Sequence, residues 1–313
     1  MHGNRTMAPE WHNIDAVMLA WPHAQTDWAP WLEDARATYL NVIAAVNRND
    51  AGVILLCAPS DVDDLNSRLP ENARVLIVPA SFNDTWMRDY GFITCKDSEG
   101  NGSPVEFRFN GWGNKFNAAE DNLANQRYLA SMCKSVLRSS PIVAEGGALE
   151  IDEDGHLLST AQCLLNPERN GDMSLSAYED AFKDMLGCSK VTILQHGHLE
   201  GDDTDGHIDT LVRFTPNKGL VIQACNNRPN DSHFEGLKAL CDECALELPE
   251  HEQFHLPLPN IVNDEGSRLP ASYANYLICN NAILLPVYGE EEDAEAIETV
   301  QRAHPNHIVE PID

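Results

Sequence analysis

Apolar residues recur at helical spacing in five places along the chain: Tyr39, Ile43 and Val46; Leu129, Met132 and Val136; Tyr178, Phe182 and Met185; Phe234, Leu237 and Cys241; and Ile297 with Val300. The ends of these stretches carry start and stop chemistry. Gly187 follows the third, Ser232 and Glu235 have capping-box spacing, and Glu290 to Asp293 places acid at the N-terminus of the fifth. Short apolar runs at Val53 to Leu56, Val75 to Val78, Val191 to Leu194 and Phe254 to Leu256 suit strands. Hairpin-like pairs follow: Met87 to Cys95 with Val105 to Phe109, Ala148 to Ile151 with His156 to Thr160, Ile208 to Phe214 with Gly219 to Ala224, and Ser272 to Cys279 with Ala282 to Val287. Their partners are separated by turn-forming residues such as Asp154-Gly155, Asn217-Lys218-Gly219 and Asn280-Asn281.

The order helix, strand, hairpin therefore occurs four times, and a fifth helix leads into a strand at His307 to Ile312 with no fifth hairpin. Modules of about 50 to 60 residues cannot bury their own faces well, which predicts a closed radial arrangement. The N-terminal strand Ala16 to Trp21 is placed in the fifth unit, closing the ring. A doubly wound sheet is the alternative topology.

With 313 residues, 43% apolar and 22% charged, the chain can bury a sizeable core and reads as one folded domain over residues 1–313. Met1 to Glu10 contains no apolar run suited to a signal peptide, and no later stretch approaches the roughly 20 apolar residues of a membrane span. A soluble, cytoplasmic protein without a membrane partner is expected. Nine cysteines without disulfide-like spacing agree with a reducing compartment. Lys and Arg total 21 against 49 Asp and Glu, a formal charge of -28, which disfavours nucleic acid and favours small cations. The same excess would also serve surface solubility alone.

Chemistry concentrates in four segments that set ionisable residues among apolar, aromatic or glycine neighbours. In Asn83 to Gly91, Asp89 and Trp86 could hold a planar cation, the carboxylate by paired hydrogen bonds and the indole by its face. An internal ion pair of Arg88 with Asp84 or Asp89 is the structural alternative. Glu145 precedes Gly146-Gly147 at a strand entrance, where glycine permits close backbone approach. In His196 to Asp209, His207 and Asp209 are two residues apart in an expected strand and would face the same side. A metal site from His196, His198, His207 and the aspartates competes with that reading, although the spacing matches no common zinc pattern. Cys241-Asp242-Glu243-Cys244 lacks a second pair and reads as helix packing. Asn275, in an aromatic strand, is a minor candidate for lining a site.

Taken together, Trp86-Met87-Arg88-Asp89, Glu145-Gly146-Gly147, Cys163 to Asn170 and Gly201 to Asp209 resemble, in the same order, the signatures of the agmatine deiminases of the guanidine-modifying superfamily. Pro9-Glu10-Trp11, Ala20 to His23 and Asn110 to Gly113 extend the likeness over essentially the whole chain. The resemblance implies an α/β fold, the five-bladed pseudo-symmetric β/α propeller called a pentein, here with its last blade incomplete. It implies metal-free and cofactor-free hydrolysis of agmatine, a small cationic guanidine, to N-carbamoylputrescine and ammonia through a covalent thiouronium intermediate, within putrescine and polyamine biosynthesis. A homodimer is the candidate assembly.

By the same resemblance Asp89 and Asp209 hold the guanidinium, Glu145 orients the reacting groups, and His207 is the general acid/base, with Trp86 and Asp203 meeting the substrate's chain and distal ammonium. The family's nucleophilic cysteine lies in a Gly-x-x-His-Cys-like segment on a hairpin after the fifth helix, whereas the residues given end at Asp313. Cys95 and Cys279 sit in apolar strands that favour inert thiols. A polypeptide ending at Asp313 is accordingly expected to lack turnover, and one about 30 residues longer to be active. Alternatives are a peptidylarginine deiminase with the same core and a non-catalytic protein that keeps the guanidine cage.

Overall fold

The computed structural model describes residues 5–313, so the part of the N-terminal reading that concerns residues 1–4 lies outside the described residues. Among the described residues, sixteen strands form five separate sheets. After β1 (Arg5–Met7), β2 (Ala16–Ala20), β3 (Gly52–Cys57) and β4 (Val75–Pro79) make an all-parallel sheet in that order. Parallel neighbours need a crossover. It is supplied by helix α1 (Leu32–Arg48) between β2 and β3, and by α2 (Val62–Arg68) between β3 and β4.

The second sheet is an antiparallel hairpin of β5 (Ile93–Asp97) and β6 (Gly102–Arg108), with β7 (Arg138–Val143) parallel to β6 and β1 on the free edge of β5. The same hairpin plus parallel strand recurs three times. These units are β8 (Glu150–Ile151), β9 (His156–Thr160) and β10 (Lys190–Leu194); β11 (Val212–Thr215), β12 (Gly219–Gln223) and β13 (Glu252–Leu256); and β14 (Leu277–Cys279), β15 (Ala282–Pro286) and β16 (Ile308–Ile312). Their returns run through α3 (Leu175–Leu186), α4 (Phe234–Glu247) and α5 (Asp293–Ala303). Gly155, Lys218 and Asn280 adopt positive φ in the hairpin turns, as tight turns between right-twisted strands require. The central strands β9 and β12 are buried at every residue, including His156, Ser159, Thr160 and Gln223.

Five core clusters join these sheets in succession. Ala20 and Leu56 pack with Tyr90 and Phe109; Cys95 and Val105 with Ile151 and Leu157; Leu158 and Leu194 with Val212 and Leu220; Val221 and Leu256 with Ile278 and Ile283. The fifth cluster puts Cys279 and Leu284 of the last sheet against Val53 and Leu55 of the first. Each sheet thus shares a core with two others, and the last with the first.

Several expectations change. Ala16 to Ala20 pairs with β3 rather than with the C-terminal strand, so the unit without a hairpin is the β2–β4 sheet and not one built on His307 to Ile312. The register lets Val17 and Leu19 join the core of α1. The expected helix through Val136 is instead a π turn at Asn125–Leu129 and a 3-10 turn at Ala130–Met132, and Val136 is 90% exposed. Tertiary bonding overrides periodicity here: the buried Asn125 amide donates to Tyr90 O and accepts from Phe92 N. At α4 the N-cap position is His233, without a side-chain cap, and Asp231 rather than Ser232 accepts its backbone and ring N–H. Among the described residues, no helix is long and apolar enough to cross a membrane.

Candidate active site

Asp89 lies on a four-residue helical turn, Met87–Tyr90, just before β5. Glu145 leaves β7 in extended conformation and opens a 3-10 turn at Gly146–Ala148. His207 and Asp209 belong to a third such turn, with His207 as the cap of Ile208–Thr210, and not to the strand expected there, because β11 begins only at Val212. The two side chains nevertheless both lie against Gly147.

The two glycines permit the approach of these turns. A Cβ on Gly146 would stand 2.1 Å from Arg88 O. A Cβ on Gly147 would stand 2.6 Å from His207 Nδ1, 2.7 Å from Asp209 Oδ2 and 2.7 Å from Asp89 Oδ1. Three of the four expected site residues therefore surround one backbone atom. The fourth, Glu145, places Oε2 3.7 Å from His207 Nε2, while His207 Nδ1 is 3.5 Å from Asp89 Oδ1. All four are buried.

Their charges are set by burial against mutual attraction. Burial opposes the cationic form of His207, but Asp89, the Cys163 thiol and Glu145 outweigh it and hold the imidazole well above its usual range. Burial would raise Glu145, yet His207 and Arg169 keep it below the ordinary carboxylate range. Asp89 is raised by burial, partly countered by His207, despite accepting Trp112 Nε1–H at 2.9 Å and Gly147 N–H at 3.0 Å. Burial, followed by the nearby Asp89 charge against the attraction of His207, leaves the Asp209 carboxyl pushed up to about 6.

The other expected residues fall differently. Trp86 is 44% exposed, with its ring 6.2 Å from Trp112 and 6.0 Å from Trp28, so the aromatic surface leads outward from Asp89. The Asp203 side chain is exposed and makes no contact with the four among the described residues; its carbonyl accepts from Lys115 Nζ. Arg88 pairs with Glu10 at 2.8 Å rather than with Asp84 or Asp89. His196, His198 and Asn275 are exposed.

The aspartates of the 202–206 loop are occupied structurally. Asp202 accepts from Thr204 and Gly206, and Asp205 from Lys115, Asn166 and Arg169. Ligand atoms of Glu145, Cys163 and His207 do lie within 4.8 Å of one another. Arg169 Nε, however, donates to both Glu145 oxygens at 2.9 and 3.1 Å, and a guanidinium there repels a metal cation.

Sequence reading missed Trp112 and Arg169 as partners of the carboxylates. The available signal was their place in the Asn110 to Gly113 and Cys163 to Asn170 motifs. Trp112 has φ of 56°, an uncommon conformation for a bulky residue, which turns its indole toward Asp89. Cys163 is fully buried, its Sγ 3.9 Å from Glu145 Oε2, and burial and Glu145 raise its thiol pKa.

Residues 6–313 match the family model for Porphyromonas-type peptidyl-arginine deiminase. A Mycoplasma mycoides protein provisionally named agmatine deiminase is 30% identical over 331 residues, covering 98% of this chain and 90% of the relative. A C. jejuni agmatine deiminase, solved with a cysteine-to-serine substitution and substrate bound, superposes with a TM-score of 0.91 at 31% identity, covering 99% of this chain and 90% of the other. A Porphyromonas gingivalis structure with a provisional arginine deiminase name gives 0.90 at 38% identity, covering 99% and 93%. The chain has their mixed α/β fold and belongs to the Porphyromonas-type peptidyl-arginine deiminase family, with the agmatine deiminases among its relatives, and is an enzyme of the class that hydrolyses amidine C–N bonds.

Proposed function

We propose that this protein acts on agmatine, producing N-carbamoylputrescine and ammonia, and that its five sheets are the blades of a pseudo-symmetric β/α propeller whose axis carries the site. The convergence of Asp89, His207 and Asp209 around Gly147 is the observation that carries this reading. A guanidinium is planar, cationic and a poor electrophile. Two carboxylates, Asp89 and Asp209, suit its N–H edges and fix its plane.

In this mechanism a thiolate adds to the central carbon and forms a C–S bond. His207 gives its proton to the departing nitrogen, which leaves as ammonia, and a thiouronium remains. His207 then takes a proton from water, whose oxygen attacks the same carbon and releases the thiolate, leaving the carbamoyl product. His207 Nε2 is buried with no hydrogen-bond partner, so it is free to exchange a proton with a bound molecule. Glu145 stays anionic and supports the imidazolium. We assign the thiolate to none of the nine cysteines of residues 1–313: Cys163, the thiol grouped with Glu145 and His207, is held neutral.

Burial of the four residues suits a small guanidine better than an arginine within a protein. Trp86 would flank the aliphatic chain of agmatine, and Asp203 would meet its distal ammonium as the loop adjusts. The same reading carries a cytoplasmic location and a role in putrescine formation.

The test is calorimetric titration with agmatine alongside assay of ammonia and N-carbamoylputrescine. Wild-type protein binds agmatine, whereas Asp89→Asn and Asp209→Asn each weaken binding by at least about tenfold, as loss of a charge-assisted contact requires. Absence of wild-type binding, or wild-type affinity in both variants, overturns the reading. Preferential binding of an arginine-containing peptide transfers it to peptidyl-arginine.

A further inference from the structure

Arg169 is fully buried, and each of its nitrogens has a partner. Nε donates to both Glu145 oxygens at 2.9 and 3.1 Å; Nη1 donates to Cys163 O at 3.2 Å and Asp205 Oδ2 at 2.7 Å; Nη2 donates to Thr204 O at 2.9 Å. One side of the guanidinium therefore holds the carboxylate beside His207 Nε2. The other holds the turn that immediately precedes His207. Asp205 sits in that turn at φ of 67°, which is strained for a residue with a side chain and needs fixing from outside.

Asp205 is itself shared. While Oδ2 receives Arg169 and Asn166, Oδ1 receives Lys115 Nζ at 2.7 Å. Lys115 directly follows the Gly111–Asn114 turn that carries Trp112, and Trp112 donates to Asp89. A chain of contacts thus runs from Glu145 through Arg169, Asp205, Lys115 and Trp112 to Asp89, and His207 lies between its two ends.

We propose that Arg169 and Asp205 are positioning residues: Arg169 holds Glu145 as an anion against His207, and Asp205 clasps that acid/base side of the site to the Lys115–Trp112 side that orients Asp89. Neither residue is placed to touch the guanidinium; both act through Glu145, His207 and Asp89. This rests on the reading of His207 as the acid/base and Asp89 as part of the guanidinium clamp. Without Arg169 only His207, at 3.7 Å, would offset the burial that favours the neutral acid of Glu145.

Carbon-13 NMR of glutamate-labelled protein, with the Glu145 resonance assigned by Glu145→Gln, reads the ionisation without needing turnover. Arg169→Gln diminishes the ionised Glu145 signal at pH 7, because His207 alone then opposes burial, and Arg169→Lys retains it in full. A folded Arg169→Gln protein with Glu145 still fully ionised at pH 7 overturns the electrostatic role. Asp205→Asn leaves Glu145 ionised but weakens agmatine binding by about tenfold through looser placement of Asp89, a positional effect rather than a lost charge. Wild-type agmatine affinity in folded Asp205→Asn overturns the clasp, and this variant stands as the test if Arg169→Gln does not fold. Agmatine titration of the wild-type protein runs in parallel: absence of binding there counts against the guanidine reading, while the Glu145 signal judges Arg169 separately.

Discussion

The Gly147 amide donates to Asp89 Oδ1 at 3.0 Å, joining two turns that lie 58 residues apart in the chain. The contact explains both the buried anion and the absence of a side chain at position 147. Asp89 receives an N–H that offsets some of its burial, and the backbone can come this near only because glycine leaves room for His207 and Asp209.

Gly147→Ala should therefore be a nearly pure lesion of the site. Its methyl would intrude on three functional groups at once. Agmatine binding and any turnover should fall by about 100-fold or more, as expected when reacting groups shift by an ångström. The far-ultraviolet circular dichroism should match the wild type; unchanged affinity would show that the groups tolerate displacement.

Trp112→Phe keeps an aromatic ring against Phe109 and Phe116 while removing the N–H given to Asp89. A buried carboxylate deprived of one donor costs about 1–3 kcal/mol. Agmatine affinity measured by calorimetry should drop by about tenfold, and the melting temperature should fall by roughly 2–10 °C.

Binding should also depend on pH through Asp209. Its carboxyl is pushed up to about 6 by burial, with Asp89 adding to the rise, and the guanidinium requires the anion. As pH falls through about 6 the site takes up a proton and affinity declines, by about tenfold per pH unit once protonation dominates. Asp209→Asn should bind weakly and lose most of this dependence, which titrations between pH 5 and pH 8 would show.

Arg213 offers a stability test away from the substrate. It donates to Glu150 at 2.9 Å, to the carbonyls of Ala274 and Tyr276, and to Glu10, while stacking 4.6 Å from the centre of the Tyr276 ring. Arg213→Met leaves the buried Glu150 without its cation, while Glu10 keeps Arg88, and should destabilise the fold by about 3–5 kcal/mol in urea unfolding at pH 8. Burial, opposed by Arg213, already holds the Glu150 carboxyl at about 7. Its raised value means that its contribution to stability is present in acid and lost as pH rises through about 7. The loss in Arg213→Met should accordingly be smaller at pH 5, where the orphaned Glu150 can protonate.

Cys163 should behave as a packing residue. Burial and the neighbouring Glu145 charge disfavour its thiolate. Iodoacetamide at pH 7 should label it in the folded protein far more slowly than it labels glutathione, as peptide mass spectrometry would measure; rapid labelling would return Cys163 to consideration as the nucleophile.

The sequence by itself determined the local pieces: hairpins punctuated by Gly155, Lys218 and Asn280, the amphipathic helices α1, α3, α4 and α5, and the four short segments that carry Asp89, Glu145, His207 and Asp209. Such features depend on neighbours a few residues away, so periodicity and turn chemistry reveal them. Tertiary structure alone decided that Arg88 pairs with Glu10, that short π and 3-10 turns replace the helix expected through Val136, that β2 lies beside β3, and that Trp112, Arg169 and Asp205 support the carboxylates. Those outcomes turn on burial and on partners tens to hundreds of residues distant. A buried charge takes whichever counter-charge or donor packing brings within reach, and spacing along the chain does not contain that choice.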